Sequence, residues 1–301
     1  MPVLLPALAH LVTEAEAAEA TIGLWDAQST GVPLPSYPWQ TTDWGPRGTI
    51  RGFHDERIRL HFDPGAGSLI MYDPDRSGTA IFAVASAEAI PWYERAGPLQ
   101  PALHWLLSGR SLNLVHAGVV GRGDRGVLIG GASGSGKSTV AVACLEAGFD
   151  YLGDDYVLIS LEEEPVAFSL YGTAKLDPAS LAMMPWLERA VTAHDGLNDG
   201  KEKVVVPVYE LRGNQIRTRA RVSAIVLPQV TGGPKSRLHP VSAADTLRAL
   251  APSTIIQMPH EARAALDTLA DLARRVPSFR LELGTDLDSV PDLLDALLET
   301  A

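Results

Sequence analysis

The chain has 301 residues, of which 46% are hydrophobic and 20% charged, enough apolar material for a buried core and for more than one compact domain. With 36 acidic against 25 basic residues the formal charge is −11, which argues against a surface that binds nucleic acid or an anionic membrane. One cysteine, Cys144, excludes an internal disulfide. With no basic start followed by a long apolar core and no apolar run of about 18 residues, a cytoplasmic protein is expected.

In chain order, residues 3–20 read as a helix with an apolar and an acidic side, its true start near Pro6. From about 22 to 92 the runs "TIGLWD", "RGTIRGF", "RIRLHFD", "SLIMYD" and "GTAIFAVA", separated by Pro, Gly, Asp and Ser, predict antiparallel strands. Trp25, Trp39, Trp44 and Trp92 fall in this part and read as core or interface, among loops able to grip a peptide. A helix over 98–111 closes it. The expected division is therefore a β-rich N-terminal region over 1–110, a candidate for substrate recognition, and an α/β domain over 111–301.

In the second part "LVHAG" and "RGVLIGG" read as neighbouring strands joined by "GVVGRGDR". A helix over 137–147 stops at Gly148, suited to the C′ position. "FDYLG" is a short strand ending at Asp154 and Asp155, and "YVLIS" continues extended. Further strands are expected at 165–171, 203–209 and 219–228, helices at 178–188, 242–250, 259–275 and 289–299, and a mobile loop over 190–203.

"GASGSGKS", residues 131–138, matches G-x-x-x-x-G-K-[ST] between a predicted strand and a predicted helix. Backbone N–H groups of Gly131, Ser133, Gly134, Ser135 and Gly136 would surround phosphate oxygens at the positive end of the helix. Lys137 would reach the β- and γ-phosphates and Ser138 would give its hydroxyl to Mg²⁺. Thr139 either supports this nucleotide site from one position on or makes a local bond at the helix start.

A phosphate loop does not name the phosphate acceptor. Asp154 and Asp155 follow the loop's helix at the end of the next strand, where open α/β sheets place ligands. One carboxylate can hold Mg²⁺ while the other, its pKa raised by its neighbour, accepts a hydroxyl proton. His116 ends a strand that can approach the same phosphates, or is a hydrogen-bonded histidine at the sheet edge. Lys175 in "YGTAKL", and Lys201, Glu202 and Lys203 in "DGKEKVVVP", are further candidates beside the alternative of solvated side chains, with Lys203 at the start of a strand after a loop able to close over nucleotide. Arg212 and Arg217 have the charge to stabilise a γ-phosphate, with nothing local to set them apart from surface arginines.

Together "HAG", "GVLIGGASGSGKST" and "FDYLGDDYVLI" resemble the C-terminal catalytic domain of bacterial HPr kinase/phosphorylase and its HPr-kinase-like relatives, closely over about 112–175 and by element order elsewhere. The resemblance implies a fold related to the nucleotide domain of phosphoenolpyruvate carboxykinase, with ATP and Mg²⁺ as cofactors. It implies Lys137 and Ser138 at phosphate and metal, Asp154 as general base towards a serine hydroxyl, Asp155 assisting at the metal, and His116 beside the transferred phosphate. Two departures point away from HPr as the acceptor. Thr139 stands where the family typically has glutamate, and the later glycine-rich signature of the phosphorylase reaction and hexamer assembly is absent. A β-rich region ahead of the kinase domain is more similar to HPr-kinase-like proteins of peptide-maturation systems, including lasso-peptide kinases. The implied partner is a serine-bearing peptide or protein, and the relatives suggest a homo-oligomer. A kinase of a small alcohol and a nucleotide-sensing ATPase module are the alternatives.

Overall fold

The structure is a computed structural model that describes residues 1–14, 17–55, 58–76, 79–108, 110–187, 203–257 and 261–300. The loop expected at 190–203 lies outside the described residues except for Lys203, as do Lys201 and Glu202. The chain forms two compact units, one of Met1–Leu5 with Val12–Arg110 and one of Pro6–Leu11 with Ser111–Ala301.

The first unit carries β1 (Thr21–Asp26), β2 (Thr49–His54), β3 (Arg59–Asp63), β4 (Ser68–Tyr72), β5 (Thr79–Val84) and helix α1 (Gln100–Ser108). Its sheet order is β1-β5-β4-β3-β2. The strands were expected to be antiparallel, but β1 runs parallel to β5, with Thr21 opposite Thr79 and Asp26 opposite Val84. Strand direction is set by the long connection between β1 and β5, which local alternation does not encode. Phe82, Ile70 and Trp105 share one buried cluster and Trp39, Phe62 and Leu60 another. Trp39 is buried, whereas Trp44 is 42% exposed.

The helix expected over 3–20 is confined to a turn at Pro2–Leu4, an α-turn at Leu5–Leu8 and a turn at Ala9–Leu11, and residues 12–14 and 17–20 are not helical. Among the described residues of that stretch only Leu4 and Ala7 are buried. The acidic, alanine-rich remainder has no apolar face to pack, and a short helix is marginal without one.

The second unit is a mixed sheet with helices on both faces. Its strands are β6 (Asn113–Val115), β7 (Ala117–Arg122), β8 (Arg125–Gly130), β9 (Asp150–Gly153), β10 (Val157–Ser160), β11 (Val166–Ser169), β12 (Ala174–Leu176), β13 (Val204–Val206), β14 (Arg219–Val230), β15 (Arg237–Pro240) and β16 (Ser278–Leu283). The order is β6-β10-β11-β14-β8-β7-β9; β16 also pairs with β14, β15 with β16, and β12 with β13 apart from the rest. Strands β8, β14 and β16 are parallel. Helix α2 (Lys137–Glu146) and α5 (Val290–Thr300) pack in one apolar cluster, α3 (Ala243–Gln257) and α4 (Ala262–Arg275) in the other. Helix α3 runs past the expected end at 250 through Pro252, because Leu250, Ala251 and Thr254 bury against the sheet. The strand expected over 203–209 is only Val204–Val206 and gives way to a helical turn at Val208–Arg212.

One feature of this topology positions the site. Segments 113–122 and 150–160 form a single antiparallel ribbon, with Val115 opposite Val157 at one end and Val119 opposite Gly153 at the other. Between these pairs the ladder is interrupted, and His116 faces the turn Asp154–Tyr156 across the gap. Strand "LVHAG" is therefore two strands that part at His116, and the hairpin to β8 turns at Gly123–Asp124 rather than over the whole of "GVVGRGDR".

Candidate active site

The phosphate loop follows β8 and opens α2, whose Ncap is Gly136 at φ 103°. A side chain there would be strained, and its Cβ would lie 2.8 Å from Leu283 Cδ2. Lys137 is buried, and its ammonium donates to the loop carbonyls of Gly131 at 3.0 Å and Ala132 at 3.1 Å. Burial lowers its pKa, against the pull of Asp154 and Asp155, and the charge of Lys203 lowers it further. Lys203, just ahead of β13, is thus placed within electrostatic reach of the loop. Ala132, Ser133 and Gly134 are exposed at the loop's tip.

Thr139 is buried and turned elsewhere: its hydroxyl hydrogen-bonds Ser180 Oγ at 2.8 Å. Ser180 is in turn held by Asp177, the Ncap of the short helix Pro178–Ala182. Thr139 ties α2 to that helix and does not offer its hydroxyl to the loop. Arg212 lies over the Trp186 ring at 5.0 Å and Arg217 pairs with Asp150 at 2.9 Å, so both have structural partners.

Asp154 and Asp155, the turn between β9 and β10, differ sharply in environment. Asp154 is 1% exposed, and its Oδ2 accepts the backbone N–H of Lys175 at 2.9 Å. Its Oδ1 meets no partner of hydrogen-bonding geometry among the described residues, although the Ser138 hydroxyl lies close enough to favour the ionised form. Burial, then the charge of Asp155, raise the Asp154 pKa; the Lys175 N–H, Ser138 and Lys137 oppose them only in part. Asp155 is the more accessible, its side chain 26% exposed. Burial acts to raise its pKa but is overcome by the Lys175 ammonium, 2.8 Å from Oδ2, and by the His116 Nε2 hydrogen bond, 2.9 Å from Oδ1, so the carboxylate is held ionised.

These contacts come from four places in the chain. His116 sits at the gap in the ribbon, with its backbone N–H donating to Thr254 Oγ1 of α3 at 3.2 Å and its ring 5.3 Å from that of Tyr156. Lys175 arrives on β12, paired with Val205 of β13. Gly118, opposite the turn, packs so closely that a Cβ would lie 3.1 Å from the carbonyl oxygens of both Gly153 and Asp154. Thr254 and Ser180 were not legible as supports, because each acts on a residue 41 or more positions away. Tyr156, adjacent to Asp155 in sequence, could have been found from that adjacency.

The residues suit a nucleotide with its metal. A helix N-terminus beside a buried lysine accommodates phosphate, and the Asp154 carboxylate, with its Oδ1 unpartnered among the described residues, is a ready oxygen donor. Among the described residues no group of three or more His, Cys, Asp or Glu is arranged to hold a metal. Phosphate oxygens and water would therefore complete the shell, as Mg²⁺ commonly requires.

No family model matches the sequence, and no curated protein matches it. Among solved structures, the Hpr(Ser) kinase/phosphatase from Coxiella burnetii is similar at 14% identity, covering 62% of this chain and 89% of that one with a TM-score of 0.36. That likeness is too loose to carry an argument about family or activity.

Proposed function

We propose that the second unit is an ATP-dependent kinase that passes the γ-phosphoryl group to a serine hydroxyl of a peptide or protein. The observation that supports this reading is the contrast in burial and partners between Asp154 and Asp155 in the turn beside the phosphate loop. A water-positioning or sensing module needs no second, ionised carboxylate held by the Lys175 ammonium and the His116 ring. Phosphoryl transfer needs positioning, charge neutralisation and a group aimed at the acceptor.

The roles expected of the two aspartates exchange in this reading. Asp154, deeply buried next to Ser138, joins it as the metal-holding residue. Asp155, the more accessible of the two, orients the acceptor hydroxyl and takes its proton late in transfer, which suits a weak base in a loose transition state. Bound Mg²⁺ would neutralise charge on the phosphate oxygens. Lys137 would exchange its two loop carbonyls for phosphate oxygens, and His116 and Lys175 keep Asp155 ionised and oriented. A peptide acceptor, including a ribosomally made precursor peptide, rests on the motif resemblance and the β-rich first unit.

The test is incubation with Mg²⁺-ATP and serine-containing peptides, following the mass gain of one phosphoryl group. Asp155→Asn should lower kcat by about 10²-fold or more with nucleotide affinity retained, whereas Asp154→Asn should raise the Mg²⁺ concentration needed for activity. ATP hydrolysis without any phosphopeptide, unchanged in Asp155→Asn, would sink the kinase reading.

A further inference from the structure

We infer that Pro6–Leu11 is a strap that holds Lys175 in place for phosphoryl transfer, with His10 as its positioning residue; this rests on the kinase reading above. The segment belongs to the second unit, although the chain on either side of it belongs to the first. A stretch this short does not hold a helix by itself, and within it only Ala7 is buried. Its contacts with the rest of the second unit therefore decide where it lies.

Those contacts fall on one short link. Strand β11 ends at Ser169 and β12 starts at Ala174, so residues 170–173 belong to neither. At the start of the link His10 Nε2 and Ser169 Oγ are hydrogen-bonded at 2.8 Å. Three residues on, the Gly172 N–H donates to Ala7 O at 2.8 Å, while the Gly172 carbonyl accepts the Tyr209 N–H at 2.9 Å. The His10 ring fills the space beside this glycine: a Cβ there would lie 3.0 Å from both His10 Nδ1 and Tyr209 Cβ. Gly172 is buried, so with the strap displaced its N–H loses its acceptor away from water.

The link leads directly into the site. Thr173 O accepts the Tyr151 hydroxyl at 2.8 Å, and Lys175 then gives its backbone N–H to Asp154 Oδ2 at 2.9 Å and its ammonium to Asp155 Oδ2 at 2.8 Å. Lys175 is three residues past Gly172, a span of at most about 10 Å, so a displacement at Gly172 reaches it with little chain to absorb the change. Strand β12 pairs with β13 apart from the main sheet, and that ladder is only three residue pairs long. The strap supplies a further fixed point from a part of the sequence 159 positions away from Ser169.

The experiment measures phosphoryl transfer to serine-containing peptides and amide hydrogen exchange over 170–176 in the full chain, for wild type, His10→Ala, His10→Gln, Lys175→Met and the His10→Ala/Lys175→Met double variant. His10→Ala should speed exchange at the Gly172 and Lys175 amides about tenfold and lower kcat about tenfold, with Mg²⁺-ATP affinity within about twofold of wild type. His10→Gln, whose amide can still bond Ser169 Oγ, should restore both to within about threefold. In the Lys175→Met background His10→Ala should lower kcat by less than about threefold, because the ammonium that the strap positions is gone. An equal loss in both backgrounds would mean general loosening and overturn the inference. Unchanged exchange at Lys175 in His10→Ala, or faster exchange with wild-type kcat, would overturn it as well. No transfer by the wild type would overturn the kinase reading and this inference with it, whereas transfer by the wild type together with any of those other results would overturn this one alone.

Discussion

Replacing Lys175 by methionine tests how the site is held. The ammonium lies 2.8 Å from Asp155 Oδ2, with the two side chains 13% and 26% exposed. At an effective dielectric of ~20 the gross attraction is ~6 kcal/mol, much of it offset by the cost of taking both charges out of water. Breaking a fully buried pair costs about 3–5 kcal/mol because one charge is left uncompensated. Here Asp155 keeps its His116 hydrogen bond and some contact with solvent, so about 2 kcal/mol is expected for Lys175→Met. Asp155→Asn should cost about as much, since it leaves the less exposed Lys175 ammonium without its carboxylate. The assay is urea unfolding at neutral pH of wild type, both single variants and the double variant, giving a coupling energy of about 1–2 kcal/mol. Because the pair is mostly shielded, salt should reduce that coupling only slightly. The Asp154 contact uses the Lys175 backbone N–H and should survive the substitution. A coupling below about 0.5 kcal/mol, or one abolished by salt, would show an ordinary surface ion pair and remove the reason given for an ionised Asp155.

Two further outcomes follow from the packing. Gly118→Ala should destabilise by about 1–3 kcal/mol and lower activity more than stability alone explains, because the new Cβ meets backbone oxygens of the Gly153–Asp154 turn at 3.1 Å and these cannot rotate away; phosphotransfer at wild-type rate in a folded variant would contradict the geometry. His10, bonded to Ser169 Oγ at 2.8 Å, has its pKa lowered by burial from 6.5 to about 4. Its neutral form is the one the fold accepts, so its stabilisation is complete above pH 6.5 and is lost as pH falls from 6.5 towards 4, by about 2 kcal/mol after allowing for its partial exposure. Unfolding midpoints of wild type and His10→Gln measured across that range should converge at low pH; parallel curves would mean that His10 does not titrate there.

What the sequence determined by itself is local. The phosphate loop, its preceding strand and its helix are encoded within about twenty consecutive residues, because glycine conformations and helix-terminal donors are properties of the neighbouring chain. The short strands of the first unit and the strand–turn–strand around Asp154 and Asp155 were legible for the same reason. Which residues meet at the turn was decided by tertiary structure. His116 reaches Asp155 because a ribbon whose strands are 39 positions apart opens at that point, and Lys175 arrives 20 positions after Asp155 on a strand paired with β13. Strands β15 and β16 were not anticipated, and β14 exceeds its expected length because β11, β8 and β16 pair with successive stretches of it. The parallel pairing of β1 with β5, and the grouping of Pro6–Leu11 with the second unit through the Gly172 N–H to Ala7 O bond, are likewise non-local. Side-chain periodicity reports which face of a strand is buried but not which strand lies beside it. Burial and partner charge, which set the two aspartates apart, exist only once those strands are assembled.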